Sequence, residues 1–161
     1  MSDSMEALRT QARKPNRTSS VDPETDEDEC AAFGFLRGVK DRALNLELRF
    51  QSGNRMMLSY AWLGTVQFNP SHGILVKFSG DLIYLVLIEG SHLNSMLAGG
   101  ITLFDRGLHR HRVIWVREMS RGDQERAEKG EAIIERIQVM SYRHDEKPPD
   151  LEWLEPFREQ L

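Results

Sequence analysis

The chain has 161 residues, a hydrophobic fraction of 40% and a formal net charge of −4, values that suit one domain with tails. The negative balance gives no overall attraction to nucleic acid, and no apolar run reaches the roughly 20 residues that a membrane helix needs. The single cysteine, Cys30, excludes an intrachain disulfide and a cysteine-based zinc cluster. The first residues also lack the apolar core of a signal peptide. We therefore expect a cytoplasmic protein without a membrane segment.

Residues 1–29 are polar and charged, and we expect them to form a disordered tail. A basic arm comes first and an acidic block follows it. The basic residues are Arg9, Arg13, Lys14 and Arg17, and the acidic ones are Asp22, Glu24, Asp26, Glu27, Asp28 and Glu29. A solvated tail explains this pattern, and a tail that binds a partner is the alternative. The sequence then predicts a β-rich domain over residues 30–119 and a C-terminal extension over residues 120–161.

The domain begins with a predicted helix and a predicted antiparallel meander. Apolar residues between Ala32 and Val39 recur at helical spacing, which indicates a short helix. Residues 44–50 alternate between apolar and polar side chains, as a half-buried strand does, and the turn at Gly53 leads into a second strand over residues 55–60. Together with the strands that follow, these segments predict one continuous meander.

Three further strands complete the meander at residues 65–68, 74–78 and 82–88. The segment Asn69-Pro70-Ser71-His72-Gly73 between the first two is a strong turn, because proline fixes φ and glycine adopts left-handed geometry. The strand over residues 82–88 is apolar throughout, so both of its faces should be covered. A helix or a second subunit is the expected cover for the outer face.

Beyond residue 90 the pattern changes. Ser91 is a suitable N-cap for a short helix that ends near Leu97, and residues 113–116 predict a sixth strand beside the fifth or the first. Residues 123–140 fit a helix, which we favour, or a strand over residues 132–140. The expected fold is α+β or mainly β: a strongly bent antiparallel sheet or small open barrel of five to six strands, with one or two short helices.

A basic cluster marks the segment before and within the sixth strand. Its members are Arg106, His109, Arg110, His111, Arg112 and Arg117. On a strand, the two histidines would share one face, with Arg110 and Arg112 on the other. Arginine forks match phosphate oxygens, so the cluster predicts an anion or nucleic-acid contact. The alternative is that these charges keep a sheet edge soluble.

The sequence contains no pattern typical of catalysis. His109 and His111 could supply two metal ligands, but the sequence places no third ligand beside them. There is no nucleophile elbow, no glycine-rich phosphate loop opening a helix and no zinc-protease motif. We therefore predict no enzyme activity, no cofactor and no metal.

An aromatic tail follows the linker Lys147-Pro148-Pro149-Asp150. Trp153, Leu154 and Phe157 would share one side of a helical turn. The tail either folds back onto the chain's own sheet or docks into the groove of a partner.

Two resemblances bear on the fold. The strand and turn over residues 46–53, after a short helix, resemble the Sm-like barrel family, whose members assemble into rings and bind single-stranded RNA. That resemblance covers residues 31–88, but the family's glycine and Asp-x-x-Met-Asn pattern are missing, and we disfavour it. The runs over residues 68–74 and 108–118 resemble small bacterial proteins without assigned activity. This second resemblance covers about residues 35–118 and implies a shared fold with no known chemistry.

The function we expect is a non-enzymatic interaction or self-association module, either a homo-oligomer or the binder of another protein. An apolar fifth strand, open sheet edges and the aromatic tail favour that interpretation. The alternative is a nucleic-acid-binding small β-barrel that uses a basic edge, with Arg106, Arg110, Arg112 and Arg117 as the phosphate contacts.

Overall fold

The structure, a computed structural model, describes residues 27–97 and 100–160. These residues form nine strands. The strands are β1 Glu27–Glu29, β2 Phe33–Leu36, β3 Asn45–Arg49, β4 Arg55–Ser59, β5 Leu63–Asn69, β6 Gly73–Ser79, β7 Ile83–Ser91, β8 Val113–Arg117 and β9 Ile133–Tyr142. The helical elements are a 3₁₀ turn at Tyr60–Trp62, a π-helical turn at Phe104–Leu108, the helix α1 at Arg121–Arg126 and a 3₁₀ segment at Glu152–Gln160. The mainly β class is confirmed.

The strands form two sheets. One has the order β1-β2-β8-β3-β4 and is antiparallel except for the parallel pair β3–β8. The other has the order β5-β6-β7-β9 and is antiparallel throughout. The prediction of one continuous meander is therefore wrong, because the chain changes sheet between β4 and β5. The 3₁₀ turn redirects it there: Ser59 accepts a hydrogen bond from the N–H of Ala61, and the side chain of Tyr60 enters the core.

The two helices predicted for residues 32–39 and for the segment from Ser91 to Leu97 are absent from the residues described there. Residues 33–36 form β2 instead, and all four are buried because β2 lies between β1 and β8. Gly34 faces the indole of Trp115, where an added Cβ would lie 2.2 Å from Nε1. Residues 92–97 form turns and irregular structure. No helix in the described ranges is both long and apolar enough to cross a membrane.

Residues beyond 119 contribute to the domain itself. Ser120 caps α1, since its side chain accepts from the N–H of Asp123, whose carboxylate accepts from the N–H of Ser120. The helix favoured for residues 123–140 ends at Arg126, and the alternative strand is the one observed, as β9. Because β9 pairs along the whole of β7, it belongs to the second sheet. The expected tail is outside the described residues up to position 26, while residues 27–29 form β1.

The strand β7 is covered on both faces, as its apolar sequence predicted. Val86 and Ile88 belong to the core between the sheets, whereas Leu85 and Leu87 point to the outer face. The C-terminal 3₁₀ segment covers that face with two side chains, Leu154 and Phe157, which are 1% and 3% exposed. Burial of each such side chain contributes about 1.5–3 kcal/mol, which explains why the tail folds back onto its own sheet.

Candidate anion-binding surface

Two loops that are distant in the sequence lie side by side at one end of the first sheet. Residues 37–44 connect β2 to β3, and residues 105–112 lead into β8. The N–H of Ala43 donates to the carbonyl of His111 at 2.7 Å, and the N–H of Leu36 donates to the carbonyl of Arg112 at 2.8 Å. The loops carry six Lys and Arg residues against two Asp residues. Backbone pairing therefore gathers positive charge at this end.

Arg112 is the buried centre of this arrangement, with 5% of its surface exposed. Its Nε donates to the carbonyl of Leu36 at 3.0 Å, and its Nη2 donates to the carbonyl of Arg37 at 2.8 Å. Burial lowers the pKa of Arg112 below its ordinary value, and the charges of Arg110 and Arg42 lower it further. The guanidinium group thus holds the end of β2 in place and is not available to a ligand.

Three exposed arginines surround Arg112. Arg42 comes from the first loop, and Arg106 and Arg110 come from the second. All three act electrostatically on the Arg112 guanidinium, as does the Asp41 carboxylate with the opposite sign. Two of them donate hydrogen bonds to backbone carbonyls: Arg106 to that of Gly100, and Arg42 to those of Val39 and Asp41. We call Arg42, Arg106, Arg110 and the exposed His109 the cationic surface.

His111 lies in a turn before β8 rather than on a strand. Its φ of 57° is left-handed, and its N–H donates to the carbonyl of Leu108. The imidazole stacks on the ring of Tyr60 with 4.6 Å between centroids and 10° between planes. The phenol of Tyr60 in turn donates to the carbonyl of Val113 at 2.6 Å. The condition under which the two histidines would share a face is therefore not met, because the π-helical turn continues into a tight turn and the strand begins at Val113.

The stacked position of His111 has a measurable pH consequence. Burial lowers the pKa of His111 below its ordinary value of 6.5, and the charges of Arg42 and His109 lower it further. Since the unfolded chain then binds the proton more readily, we expect stability to fall as the pH drops through about 7 to 5. His111→Asn, which tolerates the positive φ, should make this decline shallower in urea unfolding at a series of pH values. An unchanged slope would contradict the assignment; His72→Asn, at an exposed turn, is the control.

The remaining predicted site residues lie apart from the cationic surface. Arg117 is at the far end of β8, where its Nε and Nη2 donate to the carbonyl of Ala31. In the tail, Leu154 and Phe157 are buried against the sheet and Trp153 is half-buried beside them. The predicted basic cluster is thus divided: part of it is exposed, and Arg112 and Arg117 brace the backbone.

The sequence reading missed Arg42. Its loop, Arg37-Gly-Val-Lys-Asp-Arg-Ala-Leu44, is rich in charge, and that density of charge was the available signal. Nothing in the sequence indicates that the loop of Arg42 lies beside the loop of Arg110, because that placement depends on the hydrogen bond between Ala43 and His111.

No protein-family model, curated protein or solved structure matches this chain. Within the described residues, no group of three or more His, Cys, Asp or Glu side chains is placed to hold a metal ion. The resemblance to small bacterial proteins stays a prediction. Function must therefore be inferred from the geometry of the cationic surface itself.

Proposed function

We propose that this protein is a non-enzymatic module that binds nucleic acid through the phosphate groups. The observation that carries the proposal is the backbone pairing of the two loops, Ala43 N–H to the His111 carbonyl at 2.7 Å, which places the exposed Arg42, Arg106 and Arg110 on adjacent loops at one end of the first sheet. Guanidinium groups form paired, charge-assisted hydrogen bonds to phosphate oxygens, and they remain protonated at any physiological pH. Such groups hold anions without exchanging protons, which favours binding over catalysis.

Binding of this kind should be largely independent of base sequence. Phosphate contacts position a nucleic acid, whereas base contacts or stacking are needed to read its sequence. Tyr60, whose ring stacks on His111 beside the surface, is buried. A cytoplasmic location, which a single free cysteine favours, is part of the proposal and would give access to such a partner.

Self-association is the less favoured alternative. The apolar strand β7 and the aromatic tail first suggested it, but each covers the other within one chain. A protein partner therefore has less apolar surface to bind than the sequence implied. Recovery of the same proteins from nuclease-treated and untreated lysate would support that alternative.

The salt dependence of binding tests the proposal. We expect a short fluorescent single-stranded oligonucleotide to bind with a slope of about −2 in log K against log [salt], since each of about three phosphate contacts contributes about −0.7. The double variant Arg106→Ala/Arg110→Ala should bind at least about tenfold more weakly at low salt and show a slope of about −0.7. Fluorescence anisotropy over a salt series measures both quantities.

A matched control separates this surface from total charge. Arg121→Ala/Arg136→Ala also removes two positive charges, from α1 and from β9 on the other sheet. It should bind nearly as wild type does. An equal loss of affinity in both double variants, or binding that ignores salt, would contradict the proposal. Circular dichroism of each variant verifies that the fold is intact.

A further inference from the structure

The described chain begins next to the cationic surface. In the β1–β2 register, Glu27 lies opposite Leu36, and Arg37 Nη2 donates to the carbonyl of Glu27 at 3.4 Å. The pair is antiparallel, so Glu27 is the residue of β1 that lies nearest to the loop of residues 37–44. The Arg112 guanidinium bonds the carbonyls of Leu36 and Arg37 at this same point. Glu27, the first residue that the structure describes, therefore lies next to the loop that carries Arg42.

The residues just before Glu27 carry the opposite charge. Asp22, Glu24 and Asp26 alternate with Pro23 and Thr25, and in an extended chain alternate side chains lie on the same face. Three carboxylates thus stand within five residues of Glu27, opposite in charge to the three guanidinium groups. Five residues span up to about 17 Å.

We propose that the acidic segment of residues 22–26 docks on the cationic surface of its own chain and competes there with nucleic acid. The competition rests on the proposed function, whereas the docking does not. Because the segment is tethered at Glu27, its effective concentration at the surface is of millimolar order. A contact too weak to form between separate molecules is then sufficient to occupy the surface for part of the time. The phosphates of a nucleic acid must displace it, so the apparent affinity is reduced by the occupied fraction.

The test uses the full-length chain with the acidic segment neutralised. The variant Asp22→Asn/Glu24→Gln/Asp26→Asn should bind the fluorescent oligonucleotide about three- to tenfold more tightly at low salt. Its matched control, Glu125→Gln/Glu135→Gln/Glu152→Gln, changes net charge equally at α1, β9 and the C-terminal segment. The control should show little gain, and added salt should reduce the difference between the two variants.

A second measurement detects docking without nucleic acid. In ¹H–¹⁵N spectra, neutralising the acidic segment should shift the amide signals of residues 40–43 and 106–111, and the control substitutions should leave those signals in place. Unchanged signals at both loops would overturn the docking, as would equal affinity gains in the two triple variants. If the signals shift but wild type and variants all fail to bind the oligonucleotide, the docking stands and the proposed function fails. The two ideas can therefore fail separately.

Discussion

Replacing Arg112 with alanine should lower the free energy of unfolding by about 3 kcal/mol, because two charge-assisted hydrogen bonds are lost together. The carbonyls of Leu36 and Arg37 would lose their side-chain donor at a site where Arg112 is only 5% exposed. Alanine can neither reach these carbonyls nor fill the space left by the guanidinium and its alkyl stem. The connection between β2 and the loop that carries Arg42 should loosen as a result.

Two further substitutions test this interpretation of Arg112. Arg112→Lys keeps the charge but cannot reproduce the fork, so it should cost about half as much as the alanine variant. Arg110→Ala, at the exposed neighbouring position, should change stability by less than about 0.5 kcal/mol. Urea unfolding followed by circular dichroism gives all three values. Equal stabilities of the Arg110 and Arg112 alanine variants would show that Arg112 does not brace the backbone.

The difference in stability between the Arg110 and Arg112 variants also decides how the oligonucleotide-binding test is interpreted. Loss of oligonucleotide binding in Arg112→Ala would follow from distortion of the loops and would not identify Arg112 as a phosphate contact. Loss of binding in the Arg106/Arg110 double variant, with stability retained, would identify the exposed arginines as the contacts. Arg112 therefore belongs to the framework of the surface and not to its binding groups.

The substitution Gly73→Ala should destabilise the protein by about 3 kcal/mol or more. Gly73 opens β6 with a φ of +125°, a conformation that residues with a Cβ rarely adopt. An added Cβ would lie 2.2 Å from the carbonyl oxygen of Ile88, which is backbone of the adjacent strand β7 and cannot rotate away. The clash would force β6 and β7 apart at the edge of the core.

Gly53 supplies the matched control for this prediction. It also has a positive φ, +95°, in the turn between β3 and β4, but an added Cβ would meet no atom within 4 Å. Gly53→Ala should therefore cost only the backbone strain, about 1 kcal/mol. Thermal and urea unfolding of the two variants measure the difference. Similar losses at both positions would mean that the contact with Ile88 does not limit the packing of β6 on β7.

Much of the strand content could be predicted because it is encoded locally. The alternation over residues 44–50 and the turns near Gly53 and Asn69 predicted β3 to β6 within one or two residues. The predictions of secondary structure failed where the local sequence pattern and the observed burial disagree. The β2 segment has apolar residues at helical spacing, but its neighbours in the sheet bury every position, which removes the need for alternation. Likewise, the sequence of β9 has no clear periodicity, and its strand conformation depends on its pairing with β7.

The candidate site, like the fold, could be predicted from the sequence only in part. Residue type alone showed a dense group of arginines and histidines between positions 106 and 117. It did not show that Arg112 turns inward to two carbonyls, that His111 stacks on Tyr60, or that Arg42 joins from another loop. Each of these depends on the pairing of two segments that lie far apart in the chain, and such pairing is chosen by the whole core.

The sequence by itself determined the mainly β class, the positions of most turns and the presence of a basic segment. These features follow from side-chain periodicity, from the backbone preferences of glycine and proline, and from charge, all of which act over a few residues. Only the tertiary structure decided which strands pair, where the chain passes between the sheets and which arginines remain exposed. Those outcomes depend on long-range burial, because the free energy of covering apolar faces outweighs the local preferences of short segments.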